Sequence, residues 1–289
     1  MIDREALQRA PNPGRKPEKA VRRKPRSWLQ PHSGHCGLAS GAGTGHLRPS
    51  EAGIRGIPGY CIAKPAGMKA YLTRKLKRLR IRIFPTEEDR LEAMVGPLGA
   101  WTETAAFQIA FLKQMGLRPH HRVLDIGCGP LRGGFPLIEY LRPGGYTGVD
   151  IREAAIAEGK ARIEKSRLAD RKPVLVRSDS FGTEHLQGQG FDYIWVFQVL
   201  HHLDDASAQA CLTAIAEYMT SQSVCFANVH TEGRRSKWQE FPFVPRSVQI
   251  WQGLTRQCGL EAADIGRMEA FGYPRWRKSS ADHMLRIST

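Results

Sequence analysis

The sequence predicts an α/β protein built on a doubly wound, mostly parallel sheet of seven strands. Three observations indicate this fold class. Apolar segments of strand length alternate with segments of helical periodicity from residue 104 onward. One of them, residues 191–199, is largely apolar along its length, as expected for a strand covered on both faces. A glycine-rich turn, DIGCGPLRGG, accompanies the first strand, in the place where such a sheet binds its ligand.

The predicted strands are short and mostly apolar. They comprise residues 122–126, 146–151, 174–177, 191–199, 224–229, 262–265 and 283–287. The predicted helices lie between them and comprise residues 104–115, a segment through Ile138 and Leu141 that ends at 143–144, residues 153–168, a segment from Asp205 through Met219, and residues 247–258. Gly116 and Gly259 suit the C-caps of two of these helices, and Asp205 can cap the start of another.

The positive charge is confined to the N-terminal third of the chain. The formal net charge is +15. Residues 1–67 hold 12 Lys and Arg against 4 Asp and Glu, and residues 68–83 hold 7 against none. The remaining 206 residues carry 24 of each sign, so the predicted domain, residues 86–289, has no overall field that would attract a polyanion.

Residues 1–67 are predicted to be a disordered extension. The segment contains 8 Pro and 10 Gly, has few large apolar side chains and shows no periodicity. Such a composition cannot bury enough apolar surface to offset the entropy lost on ordering. The alternative interpretation is that the native protein starts at Met68 and that residues 1–67 are not part of it. Its scattered His and Cys residues lack a fold that would present them as ligands, so we expect no metal site.

Residues 68–83, MKAYLTRKLKRLRIRI, are predicted to form a basic amphipathic helix within a segment that ends at residue 84. Leu72, Leu76, Leu79 and Ile83 are spaced as one helical stripe among seven basic residues. Two interpretations stay open. The helix attaches to an anionic membrane surface or to RNA, or it lays its stripe on the main domain and leaves its charges in water.

Several classes of protein are excluded by composition. No apolar run reaches the roughly 18 residues of a membrane-spanning helix. The six cysteines are scattered without a CxxC pair, which disfavours a disulfide scaffold or a zinc ribbon and is typical of a reducing cytosol. The sequence shows no basic stretch followed by an apolar segment at its N-terminus, so a secretory signal is not expected. We therefore expect a cytoplasmic protein, with peripheral membrane contact if the basic helix binds lipid.

Acidic residues lie at the ends of the first three strands. Asp125 is in the first strand, Asp150 ends the second, and Asp179-Ser180 follow the third. Because the carboxyl ends of parallel strands meet at one edge of the sheet, these residues are expected to share a site. A carboxylate after the second strand suits the two hydroxyls of a ribose, and Asp179-Ser180 suit the amino group of an adenine. Together they indicate an adenosine-bearing ligand.

The first motif is similar to that of the class I S-adenosylmethionine-dependent methyltransferases. VLDIGCGPLRGG, residues 123–134, carries the resemblance, although the family's usual third glycine falls on Leu131 here. The resemblance implies an enzyme whose cofactor is S-adenosylmethionine, with the glycine loop at the cofactor's amino-acid end. The candidate cofactor-binding residues are Asp125, Gly127, Cys128, Gly129, Asp150, Ile151, Asp179, Ser180 and Gln198. A dinucleotide fold is disfavoured because its GxGxxG motif would need glycine at Arg132.

The fourth strand resembles the small-molecule branch of that family. It lies in FDYIWVFQVLHHL, and the Asn/Asp-Pro-Pro-aromatic and Pro-Cys motifs of base-modifying enzymes are missing from the sequence. His201 and His202 are candidate general bases because imidazole titrates near neutrality. At a helix start consecutive residues point about 100° apart, so at most one is expected to face the acceptor. Methyl transfer can also proceed by alignment alone, without a base.

Residues 230–245 form a long connection that is a candidate lid over the acceptor. Arg234, Arg235 and Trp238 are its candidate substrate contacts, and the alternative is ordinary surface packing. Trp101 and Glu103, ahead of the first domain helix, are similar candidates. Two functions remain: methyl transfer to a small-molecule, lipid or glycan-precursor acceptor, and an RNA-associated methyltransferase or cofactor-binding module with a basic arm. The neutral domain favours the first and makes a nucleic-acid partner less favoured.

Overall fold

A computed structural model describes the greater part of the chain. The described residues are 76, 79–80, 83, 85–96, 100–273 and 282–289. The prediction of disorder for residues 1–67 lies outside them, as does most of the basic helix, in which residues 76, 79, 80 and 83 are helical.

The described elements alternate between strand and helix as predicted. The strands are β1 (Val123–Ile126), β2 (Tyr146–Asp150), β3 (Val174–Arg177), β4 (Tyr193–Val196), β5 (Val224–His230), β6 (Ser236–Trp238), β7 (Phe241–Phe243), β8 (Glu261–Arg267) and β9 (Asp282–Ser288). The α-helices are Glu87–Ala93, Trp101–Gln114, Gly134–Tyr140, Glu153–Lys165, Asp205–Tyr218 and Val248–Gln257. Short 3₁₀ turns occupy Ala169–Arg171, Leu200–His202 and Met268–Phe271.

Seven of the strands form one sheet in the order β3-β2-β1-β4-β5-β9-β8. The pairings from β3 through β5 are all parallel, and β9 runs antiparallel to both β5 and β8. The predicted fold class, with its seven-stranded and mostly parallel sheet, is thereby confirmed. Insertion of β9 between β5 and β8 brings residues near the C-terminus beside the end of β5.

Helices cover both faces of the sheet. Successive residues of each central strand belong to two different hydrophobic clusters, as the alternation of strand side chains requires. In β4, Ile194 and Val196 join one cluster, and Tyr193 and Trp195 join the other. The indole nitrogen of Trp195 donates to Gln108 Oε1 at 2.9 Å, which satisfies the polar atom of this fully buried ring.

The predicted ends of β4 were too far apart. The strand covers Tyr193–Val196, whereas the apolar pattern predicted residues 191–199. The chain turns at Gln198, which has a φ of 59°, and its N–H donates to Asn228 Oδ1 of β5 at 2.6 Å. A side-chain acceptor on the neighbouring strand thus replaces a ladder partner and directs residues 197–199 toward the ligand end of the sheet.

Two described elements were missed by the sequence patterns. The helix Glu87–Ala93 has Thr86 as its N-cap, with a reciprocal capping box to Asp89. The strands β6 and β7 pair as an antiparallel hairpin within the segment predicted to be an irregular connection. Each of these hairpin strands is only three residues long, which is too short to give a clear alternating pattern.

Candidate functional site

A cavity of about 610 Å³ opens at the carboxyl ends of the parallel strands. It is lined by residues that directly follow or end β1 to β5, namely Gly127, Cys128, Asp150, Ile151, Ser178, Asp179, Gln198 and His230. Trp238, Phe241 and Phe243 of the β6–β7 hairpin line the same cavity. The cavity therefore has a polar wall at the strand ends and an aromatic wall at the hairpin.

The glycine loop after β1 folds back over β2. The N–H groups of Gly127 and Cys128 both donate to the carbonyl of Val149, at 2.7 and 3.0 Å. Gly127 has a φ of 76°, and a Cβ at this position would lie 2.2 Å from Cγ2 of Val199. Glycine is therefore required at residue 127 both by the backbone conformation and by the packing of the loop after β4.

Asp150 fixes this loop from the end of β2. Its Oδ2 accepts a hydrogen bond from the Gly129 N–H at 2.8 Å, and its Oδ1 accepts from the Arg152 N–H at 2.9 Å. The Arg152 side chain adds a contact at 3.3 Å. Gly129 lies behind Asp150 and outside the lining, so Asp150 presents the carboxylate to the cavity while Gly129 holds it in place.

Leu131 adopts the conformation that a glycine would favour. Its φ is 65°, and its side chain is fully buried. A Cβ on Gly134 would lie 2.7 Å from Leu131 Cδ2, and one on Gly159 would lie 3.1 Å from Leu131 Cγ. The glycines at 134 and 159 therefore leave the space that the leucine fills, and burial of that side chain offsets the strain of its backbone.

Asp125 is a buried carboxyl with a neutral partner. The Tyr146 hydroxyl donates to its Oδ2 at 2.7 Å. Burial raises the pKa of Asp125 to about 7, the nearby charge of Asp150 adds to the rise, and the Tyr146 hydrogen bond opposes it. Near neutral pH this cavity residue therefore exists as a mixture of its charged and neutral forms.

Among the polar side chains of the lining, Arg132 and Gln198 have donor atoms without partners in the described chain. Arg132 is buried, and its Nε has no hydrogen-bond partner among the described residues. Burial lowers the pKa of this guanidinium. Gln198 Nε2 is likewise without a partner in the described part of the chain. A buried cation and a free amide donor fit a ligand with a carboxylate and further acceptors.

The end of β3 contributes a more open part of the polar wall. Asp179 lines the cavity, and its carboxylate lies 3.6 Å from Arg177 at the surface. Ser180 is outside the lining, where its hydroxyl donates to Glu184. The buried Ser178 shapes this turn by accepting from the Gly182 N–H at 2.8 Å and the Ser180 N–H at 3.1 Å.

Both histidines after β4 line the cavity, and the expectation that at most one of them faces the acceptor stays a prediction. They lie in the 3₁₀ turn Leu200–His202, whose tight geometry differs from that of an α-helix. His202 Nδ1 lies 3.0 Å from the carbonyl oxygen of Pro242 in the hairpin. His201 Nδ1 has no partner among the described residues. Burial lowers the pKa of both rings, and that of His201 falls well below its usual value.

A third histidine, His230, was missed in the sequence. It ends β5, lines the cavity, and its Nδ1 lies 2.8 Å from Asp282 Oδ1 at the start of β9. The two residues are register partners in the antiparallel β5–β9 pairing. The available signal was its position: His230 follows an apolar strand, as Asp150 and Gln198 do.

The remaining predicted contacts lie outside the cavity lining. Trp101 is buried, with its ring 5.0 Å from the Arg162 guanidinium, and Glu103 is exposed. Arg234 is exposed, and Arg235 lies 3.7 Å from Asp205 at the surface. Of the five candidate substrate contacts, the structure brings only Trp238 into the cavity wall.

Comparison with known proteins agrees with this architecture. Residues 124–225 match the family model described as a methyltransferase domain. An uncharacterized protein, syc1184_c of Synechococcus sp., is 29% identical over 163 residues. That match covers 56% of this chain and 36% of the relative, so the chain spans about a third of the relative's length.

Two solved methyltransferases share the fold at low sequence identity. The CcbJ methyltransferase from Streptomyces caelestis is 14% identical, with a TM-score of 0.52 over 67% of this chain and 91% of CcbJ. Magnesium protoporphyrin IX methyltransferase (ChlM) from Synechocystis PCC 6803, solved with bound S-adenosylmethionine, is 16% identical, with a TM-score of 0.51 over 78% of this chain and 99% of ChlM.

Residues 124–225 thus resemble a methyltransferase domain, the described chain shares the fold of solved methyltransferases, and the resemblance predicted from the first motif is confirmed. S-adenosylmethionine is the methyl donor of that enzyme class.

Proposed function

We propose that this protein transfers a methyl group from S-adenosylmethionine to a small-molecule acceptor. The observation that carries the proposal is the composition of the one cavity described at the strand ends. Its polar wall holds the three carboxylates Asp125, Asp150 and Asp179, and the aromatic wall lines the same space. A donor and an acceptor bound on the two walls would be held in contact, which is the main requirement of a methyl transfer.

The polar wall is assigned to the donor. Asp150 would accept hydrogen bonds from the ribose hydroxyls, and Asp179 would accept one from the adenine amino group. Asp125 would pair with the α-ammonium group, and the buried guanidinium of Arg132 would pair with the carboxylate. When bound, the donor supplies a sulfonium methyl group, which is an activated electrophile. The protein residues themselves bind and orient the donor.

The aromatic wall is assigned to the acceptor. The ring of Trp238 lies 5.2 Å from His202, and that of Phe243 lies 5.4 Å from His201. The Val244 N–H donates to the His201 carbonyl at 2.8 Å, which ties the hairpin to the turn after β4. These contacts make the hairpin a fixed cover that excludes water from one side of the acceptor. Arg234 and Arg235 would act only at the entrance.

Calorimetry with S-adenosylhomocysteine tests the donor assignment. The wild type should bind this product analogue, and NAD should give no heat. Asp150→Ala should weaken binding about 10- to 150-fold, because hydrogen bonds to a charged group contribute about 1.5–3 kcal/mol. Asp264→Ala is the matched control, since Asp264 is outside the cavity lining. Binding of NAD without binding of S-adenosylhomocysteine would overturn the proposal.

We further propose that the basic helix, residues 68–83, holds the protein at an anionic membrane surface. The described stripe residues Leu76, Leu79 and Ile83 are 66%, 55% and 56% exposed, which argues against packing on the domain. Arg80 donates to both oxygens of Asp89, at 3.1 and 2.9 Å, and thereby links this segment to the helix Glu87–Ala93. An exposed apolar stripe among seven basic residues suits the headgroup region of anionic lipid. Among the described residues, no helix is long and apolar enough to cross a bilayer.

Vesicle flotation tests this membrane contact. The full chain should float with phosphatidylglycerol vesicles and stay behind with phosphatidylcholine vesicles. Leu76→Asp with Leu79→Asp should abolish flotation. Val174→Asp with Ile250→Asp adds the same charge at exposed apolar positions elsewhere and should have little effect. Salt-sensitive RNA binding by the wild type, without flotation, would favour the RNA-associated alternative.

A further inference from the structure

We propose that His230, held by Asp282, is the general base of the transfer and that the acceptor is a phenol. This inference rests on the proposed function, because it concerns the acceptor side of the same cavity. His230 would accept the proton of the acceptor hydroxyl, and Asp282 would position the His230 ring.

The geometry of the pair fixes the tautomer of the ring. His230 Nδ1 lies 2.8 Å from Asp282 Oδ1, and a carboxylate can only accept in such a contact. The proton of the neutral imidazole therefore sits on Nδ1, which leaves Nε2 as the acceptor atom. His230 lines the cavity, so this acceptor belongs to a residue within reach of a bound molecule.

Among the described residues, neither of the other cavity histidines has a carboxylate partner. His202 Nδ1 faces the carbonyl of Pro242, and His201 Nδ1 has no partner in the described chain. Of the three rings, only that of His230 has a carboxylate that would stabilise the imidazolium formed when it accepts a proton.

The surroundings of His230 favour an aromatic acceptor. Its ring lies 5.1 Å from that of Phe243 and 6.1 Å from that of His201. Trp238 and Phe241 extend the same wall. Flat aromatic side chains around one proton acceptor suit a planar ring that carries a hydroxyl group.

Two cations lie at the hairpin part of the lining. The Arg152 guanidinium lies 5.8 Å from the Phe241 ring, and Lys237 belongs to β6 of the hairpin. Arg152 is also paired with Asp150 at 3.3 Å, and six carboxylates line the same cavity, namely Asp125, Asp150, Asp179, Asp204, Glu269 and Asp282. The choice of a phenol therefore rests on the accepting Nε2 of His230 and on the aromatic wall, and Lys237 is the cation that would stabilise a developing phenolate.

In the proposed transfer the phenolic oxygen is the nucleophile. A lone pair of the phenolic oxygen forms the new bond to the methyl carbon, and the sulfonium carbon–sulfur bond breaks with its electron pair kept on sulfur. The phenolic proton passes to His230 Nε2. The resulting imidazolium is paired with the Asp282 carboxylate until it returns the proton to water.

An ionisable chromophore tests this assignment without turnover. 4-Nitrophenol changes its absorption when it loses its proton, so binding to the base is seen directly. With S-adenosylhomocysteine present and at a pH below the probe's own pKa, the wild type should raise the bound phenolate fraction severalfold over that of the free probe. His230→Gln should bind the probe mostly in its protonated form, and Asp282→Asn should give an intermediate signal.

The second histidine–aspartate pair of this sheet edge provides the matched control. His283 Nδ1 lies 2.8 Å from Asp264 Oδ2, and neither residue lines the cavity. His283→Gln and Asp264→Asn should therefore behave as the wild type. A full phenolate signal in His230→Gln, or a wild type that fails to bind or to ionise the probe, overturns the assignment.

Calorimetry with S-adenosylhomocysteine on the same samples separates the two proposals. If the wild type binds this compound but does not ionise 4-nitrophenol, the base assignment fails and the proposed function stands. If it does not bind the compound, the proposed function fails as well. Retained binding by His230→Gln also establishes that the variant is folded.

Discussion

Two histidine–aspartate pairs lie side by side in the antiparallel part of the sheet. His230 and Asp282 join β5 to β9, and His283 and Asp264 join β9 to β8. Both have a nitrogen–oxygen distance of 2.8 Å. Their side chains are also similarly exposed, at 16% and 24% for the first pair and 21% and 28% for the second.

The pairs differ in what they face. Asp282 and His283 are consecutive in a strand, so their side chains point to opposite faces of the sheet. The first pair borders the cavity and the aromatic hairpin, while the second lies outside that lining. Hydrogen-bond geometry and burial therefore do not distinguish a catalytic pair from a structural one. The two pairs are distinguished instead by their position, because only the first lines the cavity where donor and acceptor would meet.

The largest expected effect is on the rate of methyl transfer. With S-adenosylmethionine and 4-methylphenol, an acceptor that is almost fully protonated at neutral pH, His230→Gln should lower kcat about 10²- to 10⁴-fold, the usual contribution of a positioned base. The measurement is production of S-adenosylhomocysteine over time. His283→Gln should change the rate less than about threefold, since it lies outside the lining. Equal losses in the two variants would contradict a role specific to His230.

Substitution of the aspartate in each pair should have a smaller effect on kcat than substitution of His230. Asp282→Asn should lower kcat roughly 10- to 100-fold, because an amide no longer favours the Nδ1–H tautomer or balances the imidazolium, although the ring itself remains. Asp264→Asn should leave the rate unchanged, and a parallel loss there would show that the two pairs act through the fold.

The polar wall could be predicted because its residues are local in sequence. Asp125, Asp150 and Asp179 each lie at a strand end, and a parallel sheet brings those ends together whatever the details of packing. In the first motif Leu131 stands where the family usually has its third glycine. Its backbone is left-handed, which is the conformation that a glycine there would favour.

The catalytic pair could not be predicted in the same way. His230 and Asp282 are 52 residues apart, and they meet only because β9 inserts antiparallel between β5 and β8. No local pattern gives that register. The hairpin was missed for a related reason, because strands of three residues gain their order from contacts with His201 and His202 rather than from their own periodicity.

A third carboxyl extends the comparison, because Asp125 has a hydroxyl partner instead of an imidazole. Burial raises its pKa to about 7. A carboxyl whose folded pKa is raised favours folding while it is protonated, and that stabilisation is lost as pH rises from about 4 through about 7. The melting temperature of the unliganded wild type should therefore fall as the pH rises from about 4 to about 7.

Asp125→Asn should remove that dependence while keeping an acceptor for Tyr146. The melting temperature of the unliganded variant should exceed that of the wild type by several degrees at pH 8, because a pKa raised from about 4 to about 7 destabilises the ionised folded state on the order of 4 kcal/mol, and the difference should shrink toward pH 5. Scanning calorimetry at both pH values measures it. A constant difference across pH would contradict the raised pKa of Asp125.

The smallest effect is expected where the outer pair is broken. His283 and Asp264 are partly exposed and lie on strands already joined by a backbone ladder, so the loss of their one side-chain hydrogen bond should cost little. His283→Gln should change the free energy of unfolding by less than about 1 kcal/mol in a urea titration. A loss of several kcal/mol would mean that the outer pair holds β8 in the sheet, and His283→Gln would then no longer serve as the neutral control for His230.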